Sequence, residues 1–163
     1  MQTTIRPYDP ADHHAIIHLV AAFRVALAAL RGHNREPDIA AAAAELQEYI
    51  AKAWPIFIAY AGRPIGYLVC RIDADTVWVE SLYVSPRFRR RGTAAKLYSE
   101  AEKIAQFHNQ DTLYNWVHPN NHGMIAFLKK QGYDVLNLIE IRKRRPKEKA
   151  KTTIRVGSHT YAY

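Results

Sequence analysis

Two kinds of hydrophobic spacing divide the chain. From residue 10 to about 30, Ile16, Ile17, Leu19, Val20, Phe23, Ala26, Leu27 and Leu30 return at three- and four-residue steps, which is one stripe of an amphipathic helix stopping near Gly32. Asp38 stands where an N-cap would, ahead of an alanine-rich helix with Leu46, Tyr49 and Ile50 as its heavier apolar members, ending before Pro55. Beyond Pro55 the period changes to two. Residues 56–60 and 65–72 are β-rich runs separated by Ala61, Gly62, Arg63 and Pro64, the composition of a hairpin link. After the turn at Asp73, Ala74 and Asp75, residues 76–84 form a third run. Strict alternation puts Val77, Val79, Ser81 and Tyr83 on one of its faces and Trp78, Glu80, Leu82 and Val84 on the other.

Ser85 and Pro86 end that run, and a helical pattern resumes at about Gly92 through Ala94, Leu97, Tyr98, Ala101, Ile104, Ala105 and His108. Residues 113–117 predict a strand, 121–131 a helix closed by Gly132, and 135–142 a final long strand. With a short strand at 3–6, the order is β, α, α, β, β, β, α, β, α, β. That order predicts a mixed sheet with helices, in which the step around residues 85–92 is right-handed and locally parallel. The tail alternates again at Ile154, Val156, Tyr161 and Tyr163. It predicts either an added edge strand or pairing with another subunit in a homodimer.

Composition narrows the class. A chain of 163 residues with 48% apolar content fits one globular domain with a substantial core. No uninterrupted run of about eighteen apolar residues occurs, and MQTTIRPYDP lacks the basic-then-apolar order of a signal peptide; the expectation is a cytoplasmic protein without a membrane partner. The single cysteine, Cys70, sits among Leu68, Val69 and Ile72 and reads as a small core residue. Of the net charge of +8, residues 142–151 contribute seven basic side chains against the acid Glu148, which leaves only +2 for the rest of the chain. One short basic run beside Pro146 reads as a solvated connector rather than as a nucleic-acid footprint spread over a fold. Residues 144–163 are accordingly separated as a basic C-terminal tail from a domain at 1–143.

The loop between the third β run and the next helix carries the clearest chemistry. Arg89, Arg90, Arg91, Gly92, Thr93 and Ala94 lead into a helix whose first amides have no intrahelical acceptor, and the helix dipole adds roughly half a positive charge there. Gly92 lets the backbone approach a ligand, Ala94 keeps the rim low, and Arg87 with its three neighbours adds charge-assisted donors. A diphosphate is the natural guest. Neither GxxxxGK[ST] nor a GxGxxG following a strand is present, so P-loop and dinucleotide folds are disfavoured.

In this setting VESLYVSPRFRRRGTAAKLYSEA resembles the central motif of the GNAT superfamily of N-acetyltransferases. Arg89 stands in the Arg/Gln place, Gly92 in the fixed glycine place and Ala94 in the Gly/Ala place. A second element, NHGMIAFLKKQGY, matches the family's Asn-led helix closed by Gly and an aromatic residue, at Asn121, Gly132 and Tyr133. The resemblance spans about residues 3–143. It implies an α/β (α+β) single domain with a central mixed, mostly antiparallel twisted sheet flanked by about four helices, and acetyl-CoA as co-substrate with no metal. It also implies a cofactor site at Leu82, Tyr83 and Val84 along the strand, Arg89, Arg90, Arg91, Gly92, Thr93 and Ala94 in the loop, and Asn121. Asn121 reads equally as a helix N-cap, and the two roles are compatible.

Direct transfer to a primary amine, on a protein N-terminus, a lysine or a small molecule, needs a proton acceptor, and Glu80 is the candidate base. Partial desolvation on the strand would suit a carboxylate to that task, whereas pairing with an arginine or orienting substrate is the alternative. Many members of the family place a tyrosine, as the general acid, eight positions into the Asn-led helix. Here that position is Leu128, so Tyr83, Tyr133 or solvent would have to protonate the leaving thiolate. Two other readings stay open: a coenzyme A sensor without catalysis, motivated by Leu128, and a nucleic-acid module using residues 87–91 with the basic tail. His14 and His18 are i, i+4 on the first helix beside His13 but have no third partner in sequence, and read as surface residues. His118 is a weaker site candidate, and Phe23, Arg24 and Tyr49 are candidate linings of the acceptor pocket. Glu36, Asp38, Glu45 and Glu48 look too dispersed to define an acidic one.

Overall fold

A computed structural model describes residues 2–163, which divide into two compact units, one ending at Gly132 and the other Tyr133–Tyr163. The first contains strands β1 (Thr4–Pro7), β2 (Ile56–Tyr60), β3 (Pro64–Asp73), β4 (Thr76–Val84) and β5 (Tyr114–Asn115), with helices α1 (His13–Leu30), α2 (Ile39–Ala51), α3 (Thr93–Phe107) and α4 (His122–Lys130). The strands lie in sequence order in one sheet, antiparallel except for β4 and β5, which pair in parallel across the α3 crossover. The mixed sheet and four helices are those expected.

The 3.6- and 2-residue periods explain the layers. Ile16, Leu19 and Val20 of α1 and Leu46 and Tyr49 of α2 bury with Ile56, Ile58, Tyr67, Val69 and Tyr83 in one core on one face of the sheet. Leu68, Cys70 and Val77 point to the opposite face, where α3 packs with Leu97, Tyr98, Ala101 and Ala105 buried. Burial pushes the Cys70 thiol up to about 12, which leaves it an inert core residue. Residues 10–30 are long and apolar enough to cross a membrane by composition alone, yet α1 buries Ile16, Ile17, Leu19 and Val20 in this core.

The first helix is fastened to β1 by charge. Arg6 donates to both carboxylate oxygens of Asp12 at 2.6 and 2.8 Å, and Asp12 also accepts the Asp9 amide within a capping box. The Arg6 hydrogen bonds hold the Asp12 carboxyl below its ordinary value, against the opposing effect of burial. A depressed folded-state value means that this stabilisation is present above about pH 4 and is lost as pH falls through the folded value. Asp12→Asn should cost about 1–2 kcal/mol in urea unfolding at pH 7 and much less at pH 3. Equal costs at both pH values would contradict the pairing.

Two expectations fail here. Residues 135–142 form no strand, and the expected strand at 113–117 contracts to Tyr114–Asn115. A β run is held by its neighbours rather than by its own pattern, and 135–142 has no ladder partner among the described residues. In the second unit the tail forms a hairpin of its own, β6 (Thr153–Val156) with β7 (His159–Ala162), closed at Gly157.

Candidate active site

β4 is not regular, and its irregularity sets the site. Val69 pairs with Ser81 but Cys70 pairs with Val79, so Glu80 is an extra residue, a β-bulge. Cross-strand partners share a face, and Trp78 therefore lies with Arg71 on the side of Tyr67, Ser81 and Tyr83, not opposite them as strict alternation predicts. The bulge turns Glu80 to the same side, where its carboxylate lies 3.2 Å from Arg71 Nε. The Arg71 guanidinium in turn sits 5.0 Å from the Trp78 ring and 5.1 Å from that of Trp116, held between two indoles. Arginine pairing, the alternative weighed for Glu80, is what occurs. The contact is an ion pair rather than an aligned hydrogen bond, because Nε has no well-directed acceptor.

Glu80 also lines a cleft of about 410 Å³ with Arg24, Ala41, Ala44, Glu45, Glu48, Tyr49 and Trp54. Glu45 and Glu48 look dispersed in sequence, but one turn of α2 puts both on the cleft wall. Arg24 Nε donates to Glu45 Oε2 at 2.6 Å, and Arg24 Nη2 and the Tyr49 hydroxyl both donate to Oε1. This network ties α1 to α2 and raises the Arg24 guanidinium, chiefly through the Glu45 hydrogen bonds. Burial first, then Glu45, pushes up the Tyr49 phenol. Arg24 and Tyr49 are lining residues as expected; Phe23 instead packs on Tyr67 and Tyr83.

The C-terminal half of β4 has an open edge. β3 pairs with it along its length, whereas β5 pairs with it only at Trp78 and Val79. From Glu80 through Leu82, Tyr83 and Val84 the second edge has no strand beside it among the described residues. At the far end Gly66 of β3 is required: a Cβ there would lie 2.7 Å from the Tyr83 carbonyl oxygen. Gly66→Val should push the two strands apart and destabilise the chain by about 2–3 kcal/mol in chemical denaturation, and an unchanged midpoint would contradict the tight approach.

The loop follows directly. A short 3₁₀ turn at Pro86–Phe88 leads to Arg90 and Gly92, both in the left-handed region at φ 60° and 78°, on either side of Arg91. Such turns aim successive amides into one concavity. The first intrahelical bond of α3 is donated by Lys96 to Gly92, so the amides of Thr93, Ala94 and Ala95 face out of the helix start. Nothing stands within 4 Å of a Cβ built at Gly92, so the space above it is open. Arg87, Arg90 and Arg91 are exposed, while Arg89 folds back and donates from Nε to the Val84 carbonyl at 2.8 Å, its guanidinium over the Tyr83 ring. Arg89 thus fastens the loop to the strand instead of reaching outward.

The remaining candidates separate. Asn121 caps α4, accepting the Met124 amide at 3.2 Å. Leu128 is buried, and Tyr133, a candidate proton donor, is half-buried. Burial, then Arg31, lowers His118. His14 and His18 are exposed and stack edge to face; among the described residues no group of three or more potential ligands could hold a metal ion.

The model of the acetyltransferase (GNAT) family matches residues 25–133, two thirds of the chain, and covers β4, the loop, α3 and α4 together. The chain belongs to this family. One curated relative is an uncharacterised N-acetyltransferase, MJ1207, of Methanocaldococcus jannaschii, 24% identical over 86 residues; these make up 48% of this chain and 38% of that one. The chain therefore spans well under half of that relative's length. GNAT folds of similar shape include an AAC(6')-Iy structure in complex with the bisubstrate analogue CoA-S-monomethyl-acetylneamine, with TM-score 0.69 at 22% identity, covering 89% of this chain and 100% of that one. The PaiA N-acetyltransferase of Thermoplasma acidophilum in complex with coenzyme A gives TM-score 0.68 at 22% identity, covering 80% and 89%. At such identities the likeness is one of fold.

Sequence reasoning missed Arg71, Trp116, Trp54 and Gly66. A bulge signal was absent, since β4 carries apolar residues on both faces and either register reads well.

Proposed function

We propose that the chain transfers an acetyl group from acetyl-CoA to a primary amine, with Glu80 at the reacting end of the site. The observation that carries this reading is the open edge of β4, which joins the Glu80 cleft at one end to the amide-lined loop at the other. Glu80 and Val84 are about 13 Å apart at ~3.3 Å per residue, so an extended arm laid along the edge connects the two.

The residues fit the group. The open space above Gly92 and the outward amides of Thr93, Ala94 and Ala95 suit a pyrophosphate, and the exposed Arg90 and Arg91 add charge beside it. The backbone of Leu82, which alternates away from β3, offers strand-like bonds to an amide-bearing arm, whereas the Tyr83 carbonyl faces β3 beside Gly66 and the Val84 carbonyl is already engaged by Arg89. Acetyl-CoA supplies an activated thioester. For the chain's part, the cleft orients the amine, and Glu80 takes up its proton, directly or through a water, by loosening its contact with Arg71. With Leu128 at the expected acid position, the leaving thiolate draws its proton from solvent.

A small cationic amine is the acceptor the cleft favours. Its lining has three carboxylates, Glu45, Glu48 and Glu80, against one guanidinium, and two aromatic rings, Tyr49 and Trp54, stacked 5.8 Å apart. Glu45 is engaged by Arg24, but Glu48 meets Lys52 in an exposed pair at 2.5 Å. Glu48→Lys should raise KM for a linear diamine about tenfold with little change in kcat, and leave KM for a monoamine nearly unchanged. Equal effects on both amines would contradict the assignment. The reading as a whole is tested by turnover of acetyl-CoA against a panel of diamines, monoamines and peptides.

A further inference from the structure

Each carboxylate on the wall of the cleft has a cation of its own in the free chain. Glu45 is held by Arg24 and Glu80 by Arg71, and both guanidiniums are fixed in place: Arg24 bonds both Glu45 oxygens, and Arg71 lies between two indoles. Glu48 is held by a lysine instead. Lys52, one helical turn further along at the end of α2, places its Nζ 2.5 Å from Glu48 Oε1 and 4.7 Å from the centre of the Trp54 ring. Both partners line the cleft.

The backbone brings the three together. α2 ends in a Schellman turn, in which the Trp54 amide donates to the Tyr49 carbonyl, the Ala53 amide donates to the Ile50 carbonyl, and Ala53 takes the left-handed region at φ 51°. Glycine is the usual residue there, because a Cβ disfavours that conformation. The turn folds Trp54 back onto Tyr49 and leaves Lys52 beside its ring. Folding gains little from the pair: the two side chains are 48% and 56% exposed, and a solvated i, i+4 pair contributes only weakly to stability.

An alkylammonium set against a carboxylate and an indole is the contact that the far end of a diamine would make. We propose that Lys52 is an internal competitor for that end of the acceptor: it occupies Glu48 and Trp54 in the free chain and swings out when a diamine enters. The inference rests on the reading of the cleft as a site for a cationic amine, and it assigns the second charge to Glu48 and Trp54. Arg24 and Arg71 are locked, whereas the lysine stem is flexible and its compact charge matches the ligand's. A diamine replaces one alkylammonium with another, so Glu48 stays paired throughout. The apolar tail of a monoamine cannot make that exchange. Lys52 therefore sets how far the cleft prefers two charges to one.

KM is measured for the linear diamines from diaminobutane to diaminooctane and for the matching monoamines, in the wild-type chain and in Lys52→Met, which keeps a long stem and removes the charge. The ratio of diamine to monoamine KM should fall about three- to tenfold. In a Glu48→Gln background the added Lys52→Met should bring most of that fall to nothing, because the contact it frees no longer has a carboxylate. An unchanged ratio in Lys52→Met overturns the proposal. So does a fall of equal size in the Glu48→Gln background, which is the result of removing any positive charge near the mouth. Both outcomes leave the diamine as acceptor. Lys52→Gln replaces Lys52→Met if the methionine variant does not fold. Calorimetric titration of diaminobutane into the coenzyme A complex reads the same exchange without turnover, and Kd should fall by the same factor. A chain that acetylates peptide amines but neither binds nor acetylates any diamine overturns the acceptor reading and this proposal with it.

Discussion

Replacing Gly92 with Glu should abolish the stabilisation of the chain by acetyl-CoA while leaving the apo fold intact. At ligand near one hundred times Kd, linkage adds about 2.7 kcal/mol, and for a chain of this size that raises Tm by about 5–10 °C. The introduced glutamate side chain has room, since nothing stands near a Cβ at this position, so the unliganded protein survives. Its cost in the apo state is the φ of 78°, about 1–2 kcal/mol for a residue with a Cβ. Its cost in the bound state is larger, because a carboxylate then occupies the concavity that the helix start and the turned amides make attractive to phosphate. Gly92→Ala separates the two effects: it carries the same backbone strain without the charge and should keep most of the Tm rise. Differential scanning fluorimetry with and without acetyl-CoA reads all three proteins. A full Tm rise in Gly92→Glu would place the phosphates somewhere other than the 89–94 loop.

Glu80→Gln should lower kcat by about 10²–10⁴ and leave the acetyl-CoA Tm rise unchanged. Glutamine keeps the shape and the place on the bulge but cannot take up a proton, and it gives up the charge that faces Arg71. Steady-state kinetics distinguishes the two roles considered for this residue. Loss of a base appears in kcat, whereas loss of an orienting charge appears in KM for the amine with kcat nearly preserved. A variant with near wild-type kcat and a raised KM would reassign Glu80 to substrate orientation.

Much of this architecture is legible in the sequence because it rests on local rules. The helical stripe of α1, the Asp38 cap and the hairpin link before β3 each follow from a period or a capping residue, and each is present. The loop is legible for the same reason, since a strand break, a run of arginines and a glycine before a helix describe one local geometry. What the sequence does not disclose depends on partners. The bulge at Glu80 becomes visible only when β3 is laid beside β4, because the extra residue is counted against Val69 and Cys70. Arg71 and Glu80 are nine positions apart on two strands, and Glu48 is brought beside Glu80 only by the packing of α2 over the sheet. The 135–142 segment is the converse case: a good strand pattern with no ladder partner among the described residues remains coil.

If the open edge of β4 joins a coenzyme A loop to an amine cleft in a working transferase, the product shows it. Incubating the chain with acetyl-CoA and a linear diamine, and following free thiol together with product mass, is the direct measurement. The expected result is thiol release in equal amount to mono-acetylated diamine, lost in both Glu80→Gln and Gly92→Glu. Binding of acetyl-CoA with no acetylated product from any diamine, monoamine or peptide amine would contradict it and leave a coenzyme A-binding protein without transferase activity.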